Sequence, residues 1–131
     1  MKIYLAARYG RRLELCDYRA VLHDRGHIVT SRWLAGDHEM SDGVLSDELQ
    51  RRFAHDDVGD IAGSDLLIAF AEAPFSGHSR GGRHVELGLA LGLGKPVWIV
   101  GWRENIFCWH DGVRFFASWR VCLAQLKQVE E

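Results

Sequence analysis

Cysteine and proline are scarce in this chain, long apolar runs are missing, and so is any strong charge of one sign. Cys16, Cys108 and Cys122 are odd in number and widely separated. They form neither a disulfide framework nor a paired metal or redox motif, and read as reduced, small apolar side chains of a cytoplasmic protein. Pro74 and Pro96 are the two prolines, and each punctuates a loop. No low-complexity segment, internal repeat or linker divides the 131 residues, so the length is that of one domain with a real core. No apolar run approaches the roughly 20 residues of a membrane span, and the first four residues open a strand rather than a secretory leader. A formal net charge of −2, with arginines clustered locally, gives no electrostatic case for a nucleic-acid surface. No histidine, cysteine and carboxylate spacing suggests a metal site, and nothing calls for a cofactor.

What is present is a regular alternation. Short apolar runs at 2–6, 27–31, 66–70, 96–101 and 113–116 have the length and composition of strands. Helical stretches lie between them at 12–25, 46–62 and 82–93, and a last one runs from Ser118 to about 128. Gly26 and Gly94 stand where helices stop, and Ser46 and Ser118 where they start. Leu13, Tyr18, Val21 and Leu22 are expected inside on the first helix, and Leu49, Phe53, Val58 and Ile61 on the second. The order predicts an α/β domain of Rossmann or flavodoxin type: an open five-stranded parallel sheet with helices on both faces. Ligands bind such sheets beyond the carboxyl ends of the strands. The rim segments are then 7–12, beginning with Ala7 and Arg8, then 71–82, then 102–105. The loop 32–44 is long for a compact domain and suits a binding segment, with Trp33 placed either to stack on a base or to pack on the sheet edge.

Two carboxylates stand out. Residues 79–88, Ser-Arg-Gly-Gly-Arg-His-Val-Glu-Leu-Gly, follow the third strand and open a mostly apolar helix. Gly81 and Gly82 allow a tight turn or close backbone approach to a ligand. Glu86 then lies in the first turns of that helix, between Val85 and Leu87. Asp57 lies four residues after Phe53 and four before Ile61, in the middle of the second helix's apolar stripe, whereas Asp56 and Asp60 are expected nearer its margins. A carboxylate on an apolar face needs a partner or a task. Two of them on one crevice suggest acid–base or nucleophilic chemistry on a sugar.

On these residues the chain resembles the nucleoside 2-deoxyribosyltransferase family, which includes transferases on free nucleosides and hydrolases of nucleoside 5′-monophosphates. The most specific match is Gly82-Arg83-His84-Val85-Glu86-Leu87-Gly88, followed by Gly94-Lys95-Pro96. The resemblance implies that Glu86 is the nucleophile. It also implies that Asp57, eight residues before Asp65, is the acid, and that Tyr4 in the first strand hydrogen-bonds the nucleophile. It further implies that Asn105 reaches a neighbouring subunit's site, hence a homo-oligomer, a dimer or larger, with shared active sites. Six residues before the glutamate, family members carry aspartate for a 5′-hydroxyl or serine for a 5′-phosphate; here Arg80 stands beside Ser79, and an arginine suits a phosphate better than a hydroxyl. Ser79, Arg80, Gly81 and Gly82 are thus the expected substrate-binding residues, with Ala7 and Arg8 opposite. The implied substrate is a small nucleoside or nucleotide, with neither nucleic acid nor membrane as partner. Two other readings stay open: a cytokinin-type phosphoribohydrolase, whose fuller Pro-Gly-Gly motif is absent here, and a nucleotide-binding sensor without turnover.

Overall fold

The structure, a computed structural model, describes residues 1–36, 46–76 and 81–130, with side chains through residue 126. Five strands form one sheet: β1 (Lys2–Ala6), β2 (Ile28–Val29), β3 (Leu66–Phe70), β4 (Val97–Val100) and β5 (Val113–Phe116). All pairings are parallel and the order is β2-β1-β3-β4-β5. This is the flavodoxin-type order, in which the chain reverses direction between β1 and β3 and leaves a crevice there. Except for Lys2, every residue of β1, β3 and β4 is buried, as near-continuous apolar runs in a covered parallel sheet require. Tyr4 is the exception in chemistry, a phenol with no exposed surface among Ile3, Leu5 and Ala6.

Among the described residues four α-helices cover the sheet: α1 (Arg12–Asp24), α2 (Asp47–Ala62), α3 (Gly82–Gly92) and α4 (Trp119–Glu130). α1 and α4 meet through the stacked rings of Tyr18 and Trp119, 4.5 Å apart, while α2 and α3 pack on each other. The Ser46 side chain accepts from the Leu49 N–H, and the Ser118 hydroxyl accepts from the Val121 N–H, as N-caps do. No helix among the described residues is long and apolar enough to cross a membrane.

Several sequence expectations need correction. Leu13 is 70 % exposed, and Leu15 is buried in its place; at 100° per residue the two lie about 160° apart on α1. Val58 is 51 % exposed whereas Asp60 is buried, because position 60 lies almost in line with Phe53 on α2 and position 58 about 140° away. Asp60 is tolerated inside because Arg32 answers it: the Arg32 N–H donates to its carboxylate at 3.0 Å and Arg32 Nε at 2.9 Å. Trp33 does not offer a stacking face. It is 5 % exposed and its Nε1–H donates to the Leu5 carbonyl at 2.9 Å. The second strand is two residues long; just beyond it the Thr30 N–H still donates to the Ile3 carbonyl at 2.9 Å, Thr30 Oγ1 donates to the Asp60 carbonyl, and Ser31 Oγ accepts from the Leu5 N–H at 2.7 Å, a side chain in place of a ladder carbonyl.

Replacing Leu15 by Ala is expected to cost about 2–5 kcal/mol in urea unfolding, as other buried leucines do. Leu13→Ala is expected to stay within about 0.5 kcal/mol of the parent. Equal losses at the two positions contradict this assignment of the α1 face.

Candidate active site

The site begins with a strand that carries a hydroxyl where only apolar groups are affordable. Tyr4 points from β1 to the face covered by α2 and α3, and its O–H donates a hydrogen bond to the Glu86 carboxyl. Glu86 reaches that point because α3 starts abruptly. Gly81 caps the helix in the left-handed conformation, φ 89°, which a side chain would strain. A Cβ on Gly82 would meet nothing within 4 Å, so the first turn of α3 presents bare backbone at the rim.

The electrostatics of the pair are those of a dry pocket. Burial pushes the Glu86 carboxyl up to about 8; the Tyr4 hydrogen bond opposes this and the charge of Asp57 adds to it. Tyr4 is driven upward by its own burial first, then by the negative charges of Glu86 and Asp57, so it stays a hydroxyl donor throughout the working range. Asp57, half-buried on α2, therefore faces the same two groups. The structure brings Tyr4, Asp57 and Glu86 together at the β1–β3 crevice.

The surrounding rim is tied by ion pairs. Arg8 Nε donates to Glu72 Oε1 at 3.0 Å, and Arg11 Nη1 to Glu72 Oε2 at 3.0 Å. A Cβ at position 10 would stand 2.2 Å from Arg8 Nη1, so the Arg8 guanidinium lies across the bare backbone of Gly10. Ala7, half-buried, packs against the core at the start of this loop. Asn105 Oδ1 accepts from the Phe107 N–H at 3.0 Å, and its Nδ2 lies 3.4 Å from His84 Nδ1. Ser79 and Arg80 lie outside the described residues. A cleft of about 390 Å³ opens between the β3 and β4 loops, lined by Pro74, Phe75, Arg83, His84, Trp102 and Glu104 among others. Tyr4, Asp57 and Glu86 do not line it. We place the chemistry with the convergent acids, on the β1–α2 side of α3, rather than in this cleft.

No protein-family model and no curated protein matches the chain at a significant level of sequence similarity. Solved structures do match. A 2-deoxyribosyltransferase from Bacillus psychrosaccharolyticus superposes with a TM-score of 0.71 at 26 % identity, over 92 % of this chain and 88 % of that one. By fold, the chain is similar to the nucleoside 2-deoxyribosyltransferase family. Two further members of that family show the same architecture at lower identity. The CMP N-glycosidase BcmB of Clostridium botulinum gives a TM-score of 0.63 at 20 % identity, covering 97 % of this chain and 99 % of that one. A 2-deoxyribosyltransferase from Leishmania mexicana gives 0.64 at 18 %, covering 97 % of each.

Sequence reasoning passed over three residues that the structure puts at the rim. Glu72 is the hub for Arg8 and Arg11. Arg83, itself buried, forms an ion pair beside α3 with the more exposed Glu104. The signal for Arg83 was available in the spacing 83, 87, 90, which is the buried stripe of α3. Glu104, twenty-one positions away, carries no local signal.

The raised Glu86 value makes a stability prediction. Between the ordinary carboxyl value of 4.5 and about 8, the folded protein keeps a proton that the unfolded chain has lost. Stability therefore falls as pH rises through that window. Glu86→Gln, which cannot ionise, is expected to match the parent Tm at pH 4 and exceed it at pH 9. A Tm difference that does not change with pH contradicts a buried, proton-holding Glu86.

Proposed function

We propose that the protein cleaves the N-glycosidic bond of a (deoxy)nucleoside or its 5′-monophosphate and passes the sugar to another base or to water. The observation that carries this is the convergence of Tyr4, Asp57 and Glu86 at the crevice of a fold shared with enzymes of that chemistry. Glu86 is the nucleophile. At neutral pH it holds a proton, and handing that proton to Asp57 frees one carboxylate to attack while arming the other as an acid. Glu86 then bonds to C1′ as the C1′–N bond breaks. The electron pair leaves with the base, which Asp57 protonates. Tyr4 keeps the remaining carboxyl oxygen in line and stabilises it by hydrogen bonding. Water or an incoming base, deprotonated by Asp57, attacks C1′ from the face the leaving base vacated and releases Glu86, giving net retention.

Arg8 favours a 5′-monophosphate over the free nucleoside. Its guanidinium is anchored through Nε, laid over Gly10 and directed along the rim, an arrangement suited to a phosphate. Ser79, Arg80 and the backbone of Gly81 and Gly82 complete the same subsite in this reading. A second copy of the chain is the proposed partner. Ile106, Phe107 and Trp109 are 78 %, 59 % and 68 % exposed and directly follow Asn105, so covering this apolar surface would carry Asn105 to a neighbour's rim.

The decisive measurement pairs each nucleoside with its 5′-monophosphate, with and without acceptor base, and follows free base. Glu86→Ala is expected to lower kcat by at least about 10³-fold with the fold retained. A 2-fluorinated substrate is expected to leave a sugar adduct on Glu86 in mass spectra. Undiminished turnover in Glu86→Ala contradicts the proposal. For assembly, light scattering is expected to show a dimer or larger for the parent and a smaller species for Phe107→Asp; a monomeric parent contradicts shared sites.

A further inference from the structure

The buried stripe of α3 begins with a charge. Its buried residues are Arg83, Leu87 and Ala90. Spaced four and three apart, they lie on one line of the helix. Leu87 and Ala90 hold the later turns by packing. At the first turn, where the next apolar side chain belongs, there is a guanidinium that is 7 % exposed. Gly81 and Gly82 before it have no side chains to pack. The entry turn of α3 is therefore held by an ion pair rather than by apolar contact.

That pair is two-pronged. Arg83 Nε donates to Glu104 Oε1 at 3.2 Å and Nη2 donates to Oε2. Glu104 Oε1 also accepts from the Glu72 N–H at 3.2 Å, and the Glu72 carboxylate takes Arg8 and Arg11. The loops after β1, β3 and β4 and the first turn of α3 are thus one connected set of charge-assisted hydrogen bonds. Arg83 Nη1 is buried with no hydrogen-bond partner among the described residues. A guanidinium in that setting depends on its counter-ion.

Glu86 stands three residues beyond Arg83, about 60° around the helix. A small roll of the first turn would carry its carboxyl off the Tyr4 hydroxyl. We propose that Arg83 and Glu104 are positioning residues: their ion pair sets the roll of α3 and so aims Glu86 at Tyr4. Neither touches the reacting atoms. The inference rests on the assignment of Glu86 as nucleophile, and its test is chosen to be readable without turnover.

The groups facing Glu86 are Tyr4 from β1 and Asp57 from α2, with Asp60 of α2 acting on Tyr4 and Arg83 and His84 on its own helix. Glu104→Gln keeps the shape of the side chain and removes its charge. Two effects then pull the Glu86 titration in opposite directions. Charge alone moves the midpoint down, because a negative group is lost and Arg83 is left unpaired. Loss of aim moves it up, because the Tyr4 hydrogen bond that favours the ionised carboxyl weakens.

The titration is followed by 13C NMR of glutamate carboxyls, with Glu86→Gln supplying the assignment. The expected result for Glu104→Gln is an upward shift of about 0.5 pH unit or more. Together with it, kcat is expected to fall about tenfold while KM moves less than about twofold. Glu104→Asp, which keeps the charge but shortens the arm, is expected to give a smaller upward shift, and it carries the test if the amide variant does not fold. A midpoint that stays put or moves down, even with a lowered Tm, overturns the positioning role and leaves a pair that only stabilises. If the parent shows no turnover on any substrate, the assignment of function fails, while the direction of the NMR shift still decides whether this pair aims Glu86.

Discussion

A carboxyl group kept out of water is the constraint around which this molecule is arranged. Glu86 sits in a low-dielectric pocket, bound by a phenol that has no exposed surface and approached by a second acid. Each of these is unfavourable by itself. They coexist because burial raises the Glu86 carboxyl while the Tyr4 hydrogen bond opposes that rise, and because Tyr4 is fixed in a central parallel strand.

The sheet supplies the rest of the logic. In the order β2-β1-β3-β4-β5, α2 and α3 both cross toward the same face and meet over β1 and β3. Asp57 from one and Glu86 from the other are therefore delivered to Tyr4 by topology, not by any contact within their own helices. The rim above them is polar and interlocked, with Glu72 and Glu104 acting as acceptors for arginines from the loop after β1 and from α3. Such a rim fixes loop positions through charge, which lets the loops stay glycine-rich and open to a ligand.

Much of this was readable from the chain alone. Strand and helix order followed from apolar run length and from glycine and serine at the ends of helices. Asp57 was visible because an acid between Phe53 and Ile61 breaks an apolar stripe, and Glu86 because it follows two glycines into an apolar helix. The helix faces were harder. Leu13 and Val58 look like core residues by type, but angular position outranks residue type: Leu15 and Asp60 take the inward places. Asp60 misleads because its counter-ion comes from Arg32, twenty-eight residues earlier, and Trp33 because a backbone carbonyl of β1 satisfies its indole. The Arg83–Glu104 pair belongs to the same class. Long-range pairing of charges leaves no periodic trace, so it emerges only when the fold has placed the partners side by side.

The two ends of the sheet have a consequence of their own. β2 offers only Ile28 and Val29 to the outside, and β5 carries Arg114 folded over the Trp98 and Phe116 rings. Neither border presents a long, flat row of free amide and carbonyl groups. A chain whose interior strands are this apolar is exposed to stacking of its sheets into fibrils. Here that hazard is confined by brevity at one margin and by a cation at the other.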